Sequence, residues 1–102
     1  MFEFILMILL GLLLTMLGIS NIRGNISSIH WYNRKRVTKE NQGAYGKWIG
    51  TGTVLIGGSL VITGVLELLN EKEYWFLILL IGIVIGLSLM IYAQFKYNKG
   101  IF

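Results

Sequence analysis

The run WIGTGTVLIGGSLVITGVLELL, residues 48–69, decides the fold. Glu67 is its only charged residue, and the rest is apolar but for Thr51, Thr53, Ser59 and Thr63. About 20 residues of helix, rising about 1.5 Å each, cross the ~30 Å hydrocarbon layer of a bilayer. Two more runs of that kind flank it, at residues 4–22 and 75–95. Lipid offers the backbone no hydrogen-bond partner, so a crossing segment must satisfy its own N–H and C=O groups, which a helix does. The sequence therefore predicts an all-α integral membrane protein with three transmembrane helices, organised as a single membrane domain over residues 1–102. Composition agrees, with 55% hydrophobic and only 14% charged residues, and a mean hydropathy of +0.69.

Several chemistries are closed to such a chain. It has no Cys, so disulfides, thiolate metal sites and a Cys nucleophile are absent. His30 is its sole His and it has no Asp, which removes a two-His metal site within the chain. Ser27, Ser28 and His30 lie close in sequence, but no third residue stands out to orient the ring. No cofactor, metal or catalytic residue is expected, and the chain reads as a non-enzyme. The centres of the three runs fall near Leu13, Gly58 and Ile85, with no ionisable residue at that depth. Proton- and ion-coupled transporters usually place one there. Glu3 and Glu67 stand within about a turn of a membrane surface, where a carboxylate reaches water. The N-terminus, Met1-Phe2-Glu3, lacks the basic start of a signal peptide, and no small-residue cleavage site follows, so the first span is expected to be retained.

Charge predicts orientation. Of nine Lys and Arg, six fall in the first connection (Arg23, Arg34, Lys35, Arg36, Lys39, Lys47) and two in the tail (Lys96, Lys99); only Lys72 falls between the second and third spans. The positive-inside rule then places residues 23–47 and the C-terminus in the cytoplasm, with the N-terminus outside. Tyr74, Trp75 and Phe76, then Tyr92, Phe95 and Tyr97, mark the two ends of the third span, and Tyr45 and Trp48 the inner end of the second. Rings of this kind settle at headgroup level.

Small residues predict the packing. Only Asn70-Glu71-Lys72-Glu73 joins the last two spans, which makes them antiparallel neighbours. In lipid, helices associate where small residues let backbones approach. Gly43, Gly46, Gly50, Thr53, Gly57 and Gly64 form one face of the second span, and Gly52, Ser59 and Thr63 a second face about 120° around at 100° per residue. Gly11, Thr15 and Gly18 line the first span, and Gly82, Gly86 and Ala93 the third. A helix that is small on two faces belongs at the centre of the protomer or on a contact between protomers. Gly11, Gly18, Gly46, Gly50, Gly57, Gly64, Gly82 and Gly86 are the candidate packing positions.

The remaining signal lies in residues 23–47, RGNISSIHWYNRKRVTKENQGAYGK, which carry six bases against Glu40. Helix–helix connections usually take about 2–8 residues, so this one is expected to have structure of its own. Asn25 is placed to cap a short interfacial helix, and Thr38 to start a helix through Lys39 to Gln42 into the second span. His30, Trp31, Tyr32, Arg34, Lys35 and Arg36 are the candidate lipid- or partner-binding residues. The rings would lie at headgroup level and the bases against anionic lipid phosphates. A membrane-protein partner or a second copy of the chain is the other candidate contact. The patch is too small, and held too close to the bilayer, for nucleic acid.

The segment from Ser28 to Thr38, SIHWYNRKRVT, with Tyr45-Gly46-Lys47 and the Gly-rich start of the next span, resembles a family of small, roughly three-span membrane proteins of Gram-positive bacteria. The likeness runs over residues 25–66. It implies a bacterial cell membrane and a retained use for residues 30–38; the family carries no assigned activity, so no site residue follows from it. The expected role is a small accessory or interaction subunit. A holin-like pore has the right size and span number but wants a long basic tail. A small multidrug-type transporter would need a fourth span and a mid-membrane carboxylate in the first.

Overall fold

A computed structural model describes residues 1–24 and 37–99. Its order is α1 (Phe2–Ile22), α2 (Gln42–Leu69), a single 3₁₀ turn (Glu73–Trp75) and α3 (Phe76–Tyr97). Helix takes 85% of the described residues, which leaves no strand among them. All three helices are long and apolar enough to cross a membrane, as a multi-pass protein requires. The molecule measures 46 × 19 × 18 Å, so its long axis matches a bilayer of about 40–45 Å with its headgroup layers included.

α2 sits between the other two. A third of its most apolar window (33%) is buried, against 17% for each of its neighbours. α1 and α3 both pack along it, and they barely meet each other. Both seams are antiparallel. Gly11 faces Gly57 and Gly18 faces Gly50 across the first; Gly86 faces Gly52 across the second. A methyl group on Gly11 would stand 2.5 Å from the Gly57 carbonyl oxygen, and one on Gly57 2.7 Å from that of Gly11, so the backbones touch. Gly64 rests against Ile8 and the Phe4 carbonyl, and Gly82 against the Ser59 side chain. Gly46 is buried near the start of α2.

The distribution of apolar side chains is the reverse of a water-soluble protein's. Leu9, Leu13 and Met16 on α1, and Leu77, Ile81 and Val84 on α3, are each more than half exposed. Along the seams the buried positions are mainly Gly, with Ser59 and Thr63, and the buried hydrophobic side chains among the described residues are Phe4, Tyr45, Ile49 and Ala93. An exposed apolar surface of this extent marks a lipid or partner contact.

The ends of the helices depart from the sequence expectation. α2 begins at Gln42, six residues before the apolar run, because Tyr45, Gly46 and Ile49 are buried and carry the helix beyond the hydrocarbon. It does not begin at Thr38. The Thr38 hydroxyl accepts the Asn41 N–H at 3.3 Å and closes a turn, and Asn41 takes the position before the first helical residue. Gly43 lies in open space on the first turn of α2, so it adds nothing to the small-residue seam. α1 ends at Ile22, and two residues on Gly24 takes a φ of +101°, which glycine adopts most readily. The expected interfacial helix after Asn25 falls outside the described residues.

Candidate functional site

His30, Trp31, Tyr32, Arg34, Lys35 and Arg36 lie outside the described residues. The structure does describe the platform from which that segment leaves and to which it returns. Gln42 Nε2 donates to the Gly24 carbonyl oxygen at 3.1 Å. This bond ties the last turn beyond α1 to the first turn of α2, so the two ends of the loop are held side by side. Val37, at the returning end, packs against the cluster of Tyr45, Ile49 and Ala93.

At the end of the bundle where Gly24 and Val37 lie, buried polar side chains come from all three helices. Tyr45 is completely buried, and its hydroxyl donates to Gln94 Oε1 at 2.5 Å. Asn21, Gln94 and Asn98 are buried too, and none of the four is without a partner. A buried hydroxyl or amide left unpaired costs about 1–3 kcal/mol, so such a layer specifies one arrangement of the helix ends. The sequence reading places Tyr45 at headgroup level; the structure turns it inward because Gln94 offers an acceptor on α3. Gln94 and Asn98 carried no assignment from sequence. The available signal was one amide inside an otherwise apolar run, facing a Tyr near the opposite helix end.

Aromatic rings close the outside of this layer. Trp48 and Tyr92 pack with centroids 4.7 Å apart, tilted by 55°. The Lys96 ammonium stands 5.4 Å from the centroids of both Tyr92 and Tyr97. Such a cation–π contact is worth about 0.5–1 kcal/mol at an exposed site.

The opposite end is simpler. Glu67 is 4% exposed, and its Oε1 accepts the Lys72 backbone N–H at 2.9 Å. Trp75 Nε1 donates to the Asn70 carbonyl oxygen at 2.8 Å. Glu67 therefore holds the turn between α2 and α3, through the backbone of Lys72. A cleft of about 220 Å³ beside it is lined by Met1, Phe4, Glu67, Leu68 and Glu71. Deeper in α2, the fully buried Thr63 hydroxyl has no hydrogen-bond partner among the described residues. No group of three or more His, Cys, Asp or Glu among the described residues is arranged to hold a metal ion.

Gly46 is buried next to Tyr45, and the other packing glycines lie along the seams described above. They position the buried polar residues: the close approach at Gly52 and Gly86 brings α3 near enough for Tyr45 to reach Gln94 two turns away. Compared with protein-family models, curated proteins and solved structures, the chain matches none of them.

Proposed function

We propose that this chain is a non-enzymatic accessory subunit of a bacterial cell membrane, acting through contacts made by its basic first loop. In this reading the loop and the C-terminus face the cytoplasm. The loop meets a membrane-protein partner, with the anionic leaflet as its support. The bases from Arg34 to Arg36 supply the charge, and His30, Trp31 and Tyr32 supply the contact surface.

The observation that carries this reading is the set of buried polar residues Asn21, Tyr45, Gln94 and Asn98, together with the Gln42–Gly24 bond that joins the loop's two ends. Polar groups buried at one end of a membrane bundle are costly to assemble. A plain connector does not require them, whereas a loop that must present one surface does.

The test is site-specific photocrosslinking from Tyr32 in living cells. The expected result is a discrete protein adduct that disappears when Arg34, Lys35 and Arg36 are all changed to Gln. Adducts with lipid alone, or an adduct indifferent to those three charges, would overturn the reading.

A further inference from the structure

Among the described residues, Glu67 is the only charged side chain that is buried. A charge buried in a membrane protein is costly and is kept where it has a use. Holding the turn between α2 and α3 uses one of its oxygens, since Oε1 accepts the Lys72 N–H. Oε2 has no hydrogen-bond partner among the described residues. It is not sealed from solvent either, for Thr63 Oγ1 is the one sealed and unpartnered side-chain atom among them. Glu67 lines the cleft that it shares with Met1, Phe4, Leu68 and Glu71. No buried polar side chain lines the groove at Ser20 and Arg23 or the one at Lys47 and Thr51.

The electrostatics of the cleft are one-sided. A helix C-terminus carries about half a negative charge and favours a cation beside it. The last turn of α2 holds no base; it holds Glu67, and the exposed Glu71 follows on the same cleft. No Lys, Arg or His lines the cleft. Neither carboxylate forms an ion pair with a described residue, and the Met1 ammonium pairs with Glu3 instead. The missing charge is therefore positive. A hard metal cation such as Ca²⁺ takes about 6–8 oxygen ligands. The lining side chains leave only Glu67 Oε2 and the Glu71 carboxylate unused, and Met1, Phe4 and Leu68 make the remaining wall apolar. An ammonium group on a short carbon chain suits both parts. The volume of about 220 Å³ falls below the roughly 300–1,000 Å³ of ordinary ligand pockets, which keeps the chain short. We infer that this cleft binds one small organic ammonium ion. Its nitrogen lies at Glu67 Oε2 with Glu71 at the mouth, and its carbon chain rests on Phe4 and Leu68. The site stands at the end of the bundle away from the loop and does not depend on what the loop binds.

The test is equilibrium dialysis of radiolabelled n-butylammonium against the full chain in phosphatidylcholine nanodiscs, with empty nanodiscs as the blank. The expected result is saturable binding of one equivalent. Glu67→Gln keeps an oxygen for the Lys72 N–H, so the turn survives, and should weaken binding by about tenfold or more. Glu71→Gln should weaken it by about two- to threefold, as an exposed charge does. Leu68→Trp keeps both carboxylates but fills the cleft, and should weaken binding as well. The Gln variants of Arg34, Lys35 and Arg36 should leave it unchanged. n-Butanol, which has the chain without the charge, should not compete. No saturable binding, binding indifferent to Glu67→Gln or to Leu68→Trp, or equal competition by n-butanol would overturn the inference. So would equal competition by sodium ion, which would make the site one for inorganic cations.

Discussion

The two seams of the bundle are filled differently. Between α1 and α2 the contact is backbone on backbone: Gly11 on Gly57, Gly18 on Gly50, and Gly64 on the carbonyl of Phe4. Between α2 and α3 one such approach, Gly52 on Gly86, gives way toward the loop end to side chains, first the Trp48–Tyr92 rings and then the Tyr45–Gln94 hydrogen bond. Close backbones gain dispersion contacts along a whole helix but fix register loosely. A buried hydrogen bond fixes one register at one place. The first seam therefore holds the helices together, and the second sets where their ends lie.

The largest expected effect separates covered glycines from open ones. Gly50→Ala drives a methyl group into the Gly18 carbonyl and should destabilise the protein by roughly 2–3 kcal/mol in an SDS-titration unfolding assay in mixed micelles. Gly58 is in the same helix with nothing within 4 Å of the added carbon. Gly58→Ala should be neutral or stabilise by up to about 1 kcal/mol, from helix propensity alone. Similar losses at both positions would mean that α2 is covered on every side.

Tyr45→Phe comes next. Removing its hydroxyl should lower stability by about 1–2 kcal/mol by the same assay. In a double-mutant cycle with Gln94→Leu the two changes should be less than additive, since the residues share a bond. Strict additivity would mean that the bond sets nothing in the second seam. Thr63→Val tests the other sign. It replaces a buried hydroxyl that has no partner among the described residues by a methyl group of like size, and should raise stability by about 1 kcal/mol. Smallest of all is Gln42→Leu, which frees the Gly24 carbonyl. It should change global stability by about 0.5–1 kcal/mol while hydrogen exchange at residues 21–24 quickens measurably.

Three helices of spanning length were legible because one physical demand, internal satisfaction of the backbone in lipid, acts on every residue of each run. Their limits were less legible. The apolar pattern stops at Trp48, yet the helix begins at Gln42, where packing by Tyr45 and Ile49 takes over from hydropathy. A row of small residues shows that something comes close but not which neighbour: Gly50 and Gly52 stand two positions apart and face different helices. The Tyr45–Gln94 bond was invisible because its partners are 49 residues apart, and a lone Gln near a span end reads like any interfacial amide. The candidate binding segment from His30 to Arg36 is legible only as charge and rings; its arrangement lies outside the described residues.

The fold rests on the number of crossings, and the absence of Cys makes that number measurable. Single cysteines placed at Glu3, Lys39, Glu71 and Lys99 can be labelled with a membrane-impermeant maleimide in sealed vesicles of known orientation. Three crossings require Lys39→Cys and Lys99→Cys to label from one side and Glu3→Cys and Glu71→Cys from the other. Labelling of any two consecutive positions from the same side would contradict it.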